Sequence, residues 1–230
     1  MRRGLMIIFL CFVLCIPVSA KEPAKYVALT FDDGPSGQIT RRLLEGLAQR
    51  DVRATFFLCG YRLELYGDLA GEIRRQGHEV GLHGFSHDSM ADMGPEELRR
   101  ELRDTAALLP EGCVVSLMRP PGGNGGKILE TVTREANLSV ISWSVDPRDW
   151  ATDDASEILH RLLEQTGDGD VILMHDMTDS SVDAALALVD ELTDRGYKFL
   201  TVSQLAMLRL CQLRPGRSYE SFPLTSGTES

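Results

Sequence analysis

Two neighbouring acids are the first residues in the chain that could activate water. Residues 30–35 read TFDDGP, which places the carboxylates of Asp32 and Asp33 side by side. Adjacent carboxylates repel each other unless something separates or neutralises them. One acid on a metal ion and its neighbour acting as a base would resolve that conflict. An ordinary Asp-Gly-Pro turn is the alternative interpretation.

Two histidines form a second candidate cluster. His83 and His87 lie within residues 83–87, which read HGFSH. On one face of a helical turn, residues four apart are close enough to share an ion. Two histidines and one carboxylate leave coordination positions open for water and substrate. We therefore predict a catalytic metal site, with histidines that serve only packing as the alternative.

Three further polar segments accompany these two clusters. They read RPPGG at residues 119–123, DPRDW at residues 146–150 and LMHD at residues 173–176. In the last segment His175 ends a strongly apolar run, a position that suits a general acid tuned by a carboxylate. Each segment alone is weak evidence, since proline turns and Asp-Trp pairs are common.

The elements that must position these residues alternate regularly along the chain. Each of the five polar segments directly follows a predicted strand, and functional residues of parallel barrels lie at the carboxyl ends of strands. We predict a single α/β domain, an irregular (β/α)7-type barrel of mostly parallel strands. The predicted strands cover residues 26–31, 54–58, 79–83, 114–118, 139–143, 171–174 and 198–201, and the predicted helices cover residues 38–50, 64–76, 95–109, 127–136, 155–165 and 181–195.

In this order, the five segments resemble the motifs of a known enzyme family. They are similar to those of the polysaccharide deacetylases, carbohydrate esterase family 4, which share the NodB-homology domain. The resemblance runs over about residues 26–202, and we predict the domain at residues 24–212. It implies an irregular (β/α) barrel, in agreement with the pattern of elements.

The resemblance implies a metal centre with a base beside it. Asp33, His83 and His87 would bind a divalent ion, most often zinc in this family, with Co²⁺ or another divalent ion as the alternative. Asp32 would be the general base that takes a proton from water. Arg119 would pair with Asp32 and keep it ionised.

The resemblance also implies roles for the remaining motif residues. His175 would protonate the leaving amine, and Asp149 would orient its ring. The backbone N–H of Gly122 would stabilise the oxyanion. Trp150 and Leu173 would line the slot for the acetyl methyl group.

Two glycines depart from the usual family pattern. Gly84 occupies a position where Ser or Thr is usual, so a hydroxyl that orders the turn between the histidines is missing. Gly122 occupies a position where Tyr is common. Its N–H remains a donor, but the aromatic wall is gone, so we expect a wider or more mobile pocket there.

The function implied is removal of N-acetyl groups from N-acetylglucosamine units in peptidoglycan or chitin-like oligosaccharides, with release of acetate. Two alternatives use the same site: an O-acetyl esterase of the xylan type and a muramic-acid deacetylase. A carbohydrate-binding module without catalysis is a third alternative, from a different functional class.

The first 20 residues have the three parts of a secretory signal peptide. Arg2 and Arg3 precede an apolar run at residues 5–16, and small residues follow at 18–20. That run is shorter than the ~20 residues of a membrane span. We predict a secreted or cell-wall-associated protein without a stable span after cleavage, with an uncleaved anchor as the alternative.

Charge and cysteine content limit the partners. The chain carries 24 basic and 34 acidic residues, a net charge of −10 that becomes −12 once residues 1–20 are removed. Nucleic acid is therefore a poor partner, and an acetylated polysaccharide or oligosaccharide fits better. Three cysteines remain after cleavage, either as one disulfide and a thiol or as three thiols. We predict that residues 213–230, rich in Ser, Thr, Gly and Pro, form a mobile tail.

Overall fold

The computed structural model describes residues 24–224, so the predicted signal peptide lies outside the described residues. Within them, strands and helices alternate along most of the chain. The strands are β1 (Lys25–Asp32), β2 (Thr55–Leu58), β3 (Glu79–Leu82), β4 (Leu117–Met118), β5 (Ser139–Ile141), β6 (Val171–His175), β7 (Tyr197–Phe199) and β8 (Ser218–Tyr219). The helices are α1 (Gln38–Gln49), α2 (Gly60–Arg75), α3 (Pro95–Ala107), α4 (Gly126–Glu135), α5 (Ala155–Gln165), α6 (Asp179–Asp194) and α7 (Val202–Leu208).

The strands form one curled parallel sheet. Their order is β6-β1-β2-β3-β4-β5-β8, and β7 also pairs with β1. Just beyond β5, a parallel bridge joins Val145 to Ile172 of β6, and the N–H of Leu173 donates to the carbonyl of Val145 at 2.9 Å. This contact brings the chain after β5 back to β6. The predicted single-domain barrel of mostly parallel strands is confirmed.

Local sequence explains where the helices begin. Asp154 caps α5 by accepting from two backbone N–H groups, and Thr178 caps α6. Thr201 and Gln204 form a reciprocal capping box at the start of α7. These side chains satisfy N–H groups that a helix cannot pair internally. Proline and two acids open α3, as the sequence predicts.

The carboxyl-terminal part of the chain differs from the prediction of a mobile tail at residues 213–230. Strand β8 pairs with β5, and Phe222 packs into the core with 2% of its surface exposed. A two-residue strand is too short to show an alternation of apolar and polar residues. The residues around β8 are mostly polar, so the sequence does not indicate a strand there. The last six residues of the predicted tail lie outside the described residues.

Other findings concern membranes and sulfur chemistry. From residue 24 to residue 224, no helix has the length and apolarity needed to span a membrane. Cys59, Cys113 and Cys211 are all free thiols, and Cys59 is buried. Among the two alternatives left open by the sequence, the structure therefore has the one without a disulfide.

Candidate active site

A buried ion pair joins the ends of β1 and β4. Nη1 of Arg119 donates to Oδ1 of Asp32 at 2.7 Å, and neither side chain reaches the surface. Other guanidinium donors bind the hydroxyl of Thr30 and the carbonyl oxygens of Ile141 and Ser142. A buried arginine with this many partners is fixed in one orientation. It therefore holds Asp32 in place.

Asp33 turns away from its neighbour toward the two histidines. It adopts a left-handed φ of 70°, which is uncommon for a residue with a side chain. Its Oδ1 lies 3.2 Å from Nε2 of His83 and 2.9 Å from Nε2 of His87. One donor atom from each of these three residues falls within 4.8 Å of the others. The structure thus brings the predicted ligand set together.

The hydrogen bonding of this cluster fits a cation. Nδ1 of His83 lies 2.8 Å from the carbonyl oxygen of Arg119, and a carbonyl can only accept, so this nitrogen carries the proton. In the neutral ring, Nε2 then presents a lone pair toward Asp33. Oδ1 of Asp33 is buried without a hydrogen bond. Lone pairs that converge on one point call for a cation, and a carbonyl behind a ligand histidine is usual for metal sites.

Burial and the same two histidines set the pKa of Asp33. Burial by itself raises the pKa of the Asp33 carboxyl, but its interactions with His83 and His87 outweigh burial and lower that pKa below the usual range. The carboxylate is therefore ionised and available to a cation.

The histidine segment is not the helical turn that the spacing predicted. Gly84 and His87 both have positive φ, 80° and 68°, so residues 83–87 form an irregular loop. The backbone N–H groups of Phe85 and Ser86 donate to Oε2 of Glu101, at 2.6 and 3.0 Å. This carboxylate of α3 orders the turn, which is the role expected of the hydroxyl that Gly84 lacks.

A second acid–histidine pair lies at the end of β6. Nδ1 of His175 is 2.8 Å from Oδ1 of the buried Asp149, whose other oxygen accepts from the His175 backbone N–H at 2.9 Å. Burial lowers the pKa of His175, but Asp149, with smaller effects from Asp32 and Asp33, raises it to about 9. The imidazole is therefore protonated at neutral pH and can donate a proton.

Strand register places this histidine beside the base. β1 and β6 are parallel neighbours in which Asp32 pairs with His175 and Thr30 with Leu173. Side chains of paired residues in parallel strands point to the same face. Asp32 and His175 therefore lie next to each other at the same end of the barrel.

Gly122, the predicted oxyanion donor, lies beside an open cavity. Gly122 has a φ of 63° and borders a cavity of about 250 Å³ with His87, Pro121 and two polar residues, Ser89 and Asn124. Apart from its two chain neighbours, no described residue has a heavy atom within 4 Å of the place where a Cβ at position 122 would be. The absence of a side chain thus leaves this side of the metal cluster open.

Trp150 and Leu173 lie at different levels of the site. Trp150 follows Asp149 in a single 3₁₀ turn, is 61% exposed, and stacks with the guanidinium of Arg148 at 5.2 Å. Leu173 is 4% exposed and points into the barrel. A shared acetyl slot between them therefore remains a prediction.

Sequence analysis missed several residues that support the site. Asp176 is completely buried, and burial raises the pKa of its carboxyl to about 7. Thr40 donates to it, and Phe57 packs 4.3 Å from the guanidinium of Arg119. Asp176 directly follows His175, and this position in the LMHD segment could have indicated that it belongs to the site. Nothing in the sequence connects it to Thr40.

The fold and these side chains define the class of the protein: an α/β-barrel hydrolase with a candidate metal centre between an acid and a base. A sequence profile of the polysaccharide deacetylases matches residues 19–141. The chain belongs to the polysaccharide deacetylase family.

Individual relatives agree with this assignment. The chain is 37% identical over 183 residues to the peptidoglycan-N-acetylmuramic acid deacetylase PdaC of Bacillus subtilis, covering 79% of this chain and 38% of that protein. It is 34% identical over 187 residues to a peptidoglycan-N-acetylglucosamine deacetylase of Bacillus cereus, covering 79% of this chain and 88% of the relative.

A solved structure of a family member has the same fold. The family 4 acetyl xylan esterase of Clostridium thermocellum, determined with a cobalt ion, superposes with a TM-score of 0.80 at 31% identity. The superposition covers 87% of this chain and 100% of the esterase.

Proposed function

We propose that this chain is an exported, metal-dependent deacetylase that removes N-acetyl groups from N-acetylglucosamine units of peptidoglycan or chitin-like oligosaccharides. The observation that carries the proposal is the meeting of two buried pairs, Asp32–Arg119 and Asp149–His175, around the three candidate ligands. A module that only binds sugar has no use for a charged base and a protonated acid held side by side.

Asp33, His83 and His87 would hold the ion, with Zn²⁺ as the first candidate. When bound, such an ion lowers the pKa of a coordinated water and polarises the acetyl carbonyl. Asp32 accepts the proton of the attacking water through Oδ2, the oxygen that Arg119 leaves free. Arg119 keeps the base ionised and fixes its direction.

His175 and Asp149 act on the leaving group. An amine is a poor leaving group unless it is protonated as the carbon–nitrogen bond breaks. His175 donates that proton, and Asp149 maintains both its charge and its ring orientation. The backbone N–H of Gly122 stabilises the oxyanion, while Trp150 and Leu173 contact the acetyl group and its sugar.

Two relatives suggest different substrates for the same site. PdaC is named for N-acetylmuramic acid, and the esterase for acetyl xylan. The sugar alcohol of an ester leaves more readily than the amine of an amide, so O-deacetylation depends less on His175. The acid pair favours an N-acetyl substrate, because the amide reaction needs a proton donor more than the ester reaction does. N-acetylglucosamine and N-acetylmuramic acid are both amides, so the comparison of oligomers carrying each sugar decides between them.

The test is acetate release from N-acetylglucosamine oligomers by metal-loaded protein, with and without a chelator. We expect release that the chelator abolishes and that Asp32→Asn reduces by about 10²-fold or more. Asp168→Asn is the matched control. Asp168 also pairs with an arginine, Arg209 at the end of α7, but this pair lies away from the site. Chelator-insensitive release, or full activity in Asp32→Asn, contradicts the proposal.

A substrate panel separates the alternatives. Oligomers carrying N-acetylglucosamine, N-acetylmuramic acid or O-acetylxylose are compared, with mass spectrometry to locate the sugar that changes. Faster acetate release from the O-acetylxylose oligomer would show that the chain is an esterase. Loss of acetyl groups from N-acetylmuramic acid alone would show that this sugar, and not N-acetylglucosamine, is the substrate. Binding of oligomers without any release would favour the binding module.

Export has its own experiment. Residues 1–20 fused to a reporter should direct it out of the cell, and the mature amino terminus should follow Ala20. A reporter that stays inside would contradict export, and one that remains attached to the membrane would favour the uncleaved anchor.

A further inference from the structure

The loop that carries Asp33 is joined to the strand that carries His175 by two consecutive hydrogen bonds, the second of them buried. The backbone N–H of Ser36 donates to Oγ1 of Thr40 at 2.6 Å, and Thr40 donates in turn to Oδ2 of Asp176. Thr40 and Asp176 are both completely buried. We call this set of three residues the Asp176 network.

A second feature fixes the distance between loop and strand. The carboxyl of Asp176 lies directly against the Cα of Gly34, and a Cβ at that position would collide with both of its oxygens. Gly34 also accepts from the N–H of Cys59 at 3.0 Å, at the end of β2. The residue after Asp33 is therefore held between β2 and β6.

The conformation of Asp33 explains why such support is needed. Its φ of 70° is strained for a residue with a side chain, and it is this turn that directs the carboxylate at His83 and His87. Strained residues keep such conformations only where the surrounding structure determines them. The Asp176 network supplies that constraint from one side and Cys59 from the other.

We propose that Thr40 and Asp176 are positioning residues, which hold Asp33 in its strained conformation and keep it in register with His175. This role rests on the proposed function for its catalytic consequence, but not for its effect on metal binding. Within residues 24–224, the hydrogen bonds of these two side chains go to each other and to the N–H of Ser36, and Asp176 packs against Gly34. We therefore assign their effect to the backbone of residues 33–36.

Thr40 allows a clean test because one variant removes only the hydroxyl and another keeps it. Thr40→Val removes the hydroxyl and keeps the volume, whereas Thr40→Ser keeps the hydroxyl. The matched control is Thr133→Val, since Thr133 is an equally buried helical threonine whose hydroxyl donates to the carbonyl of Leu129 at 2.7 Å. It measures the cost of losing a buried hydroxyl away from the site.

The first measurement is the affinity of stripped protein for Zn²⁺, by competition with a chromophoric chelator. We expect Thr40→Val to bind Zn²⁺ about tenfold more weakly, the usual size of an effect behind the ligands. Thr40→Ser and Thr133→Val should match the wild type. Equal losses in Thr40→Val and Thr133→Val would show a merely structural role and overturn the proposal.

The second measurement is kinetic, at saturating Zn²⁺. A misplaced ligand affects the reacting atoms and not the sugar contacts, so Thr40→Val should lower kcat and leave KM unchanged. An increase in KM with kcat unchanged would overturn the proposal. Asp176→Ala gives the same comparison from the other end of the network if Thr40→Val fails to fold.

The two proposals can fail separately. Wild-type protein that releases no acetate, while Thr40→Val still weakens Zn²⁺ binding, would remove the proposed function and leave the positioning role intact. If Thr40→Val and Asp176→Ala released acetate at the wild-type rate and bound Zn²⁺ with wild-type affinity, the positioning role would be wrong and the proposed function would stand.

Discussion

At the scale of single residues, the site separates two acids that are adjacent in sequence. Asp32 pairs with Arg119 inside the barrel, while Asp33 turns through a left-handed conformation toward His83 and His87. The backbone turn divides two like charges between two different partners. That division allows one acid to be a base and the other a ligand.

The His175–Asp149 pair leads to a prediction about pH. Asp149 opposes the effect of burial and raises the pKa of His175 to about 9, so the acid form is present below that pH and lost above it. Asp149→Asn removes the charge, and we expect the alkaline limb of kcat/KM to move to lower pH by roughly one to two units. The measurement is a pH profile at fixed metal saturation.

The control for this prediction is Asp146→Asn, three residues earlier on the same loop, where the carboxylate accepts only from the backbone N–H of Arg148. The alkaline limb of kcat/KM for Asp146→Asn should lie at the same pH as that of the wild type. An unchanged limb in Asp149→Asn would mean that His175 is not the proton donor.

The buried Asp32–Arg119 pair leads to a prediction about stability and activity together. Arg119→Met leaves Asp32 buried without its partner, which costs about 3–5 kcal/mol of unfolding free energy. The base also loses the partner that fixes its direction, so kcat should fall as well. Denaturant unfolding and acetate release measure the two effects.

Arg209→Met provides the comparison. Arg209 is almost fully buried and pairs with Asp168 at 2.5 Å, next to the start of β1 and so at the opposite end of the barrel. We expect it to lose stability while kcat stays near the wild-type value. If both variants lost activity in proportion to stability, the pair at Arg119 would have no special part in catalysis.

At the scale of helices and strands, the sequence predicted most of what positions the site. Strands with continuous apolar runs and helices with a clear start, such as β6 and α3, were recognised in place. β4 was predicted over residues 114–118, but only Leu117–Met118 form a strand, and Val114 is 93% exposed. An apolar residue outside the sheet looks the same in sequence as one within it.

The supporting residues of the site could not be predicted in the same way. Glu101 lies on α3, 16 residues after Phe85, and Thr40 lies on α1, 136 residues before Asp176, so each contacts its partner only after folding. The helical turn expected for residues 83–87 was wrong because two positive φ angles depend on contacts with α2 and α3. Spacing identifies ligands, whereas loop shape is decided by the elements that surround it.

The unexpected strand β8 leads to a prediction about the carboxyl-terminal segment. Phe222 is nearly completely buried beside Tyr219, with ring centroids 6.1 Å apart. Phe222→Ala should cost about 3–5 kcal/mol of unfolding free energy, as for other buried phenylalanines. Leu224→Ala is the control because Leu224 is largely exposed, and equal small effects in both would restore the interpretation as a mobile tail.

At the scale of the whole molecule, ion pairs use much of the positive charge. Arg41 and Arg42 of α1, and Arg50 directly after it, pair with acids of α2 and α6 around the outside of the barrel. The chain as a whole remains acidic, with a net charge of −10. Such a surface disfavours polyanions and agrees with a neutral acetylated sugar as substrate.

One buried histidine makes the stability of the whole molecule sensitive to acid. Burial, aided by the charge of Arg53, lowers the pKa of His78 from 6.5 to about 4. Its Nδ1 accepts from the N–H of Ala54 at 3.1 Å, and its Nε2 has no hydrogen-bond partner among residues 24–224. Between these two pKa values the unfolded chain binds a proton that the folded chain does not, so the unfolding free energy falls as pH falls.

His78→Asn tests this linkage, because an asparagine oxygen can still accept from Ala54 and does not titrate. We expect the variant to lose less unfolding free energy than the wild type between pH 6.5 and 4, by up to about 3 kcal/mol. Urea unfolding across that range, with chelator present throughout, measures the difference. His160→Asn is the control, since His160 is exposed on α5 and should leave the pH dependence unchanged. A wild-type slope in His78→Asn would mean that other groups cause the acid sensitivity.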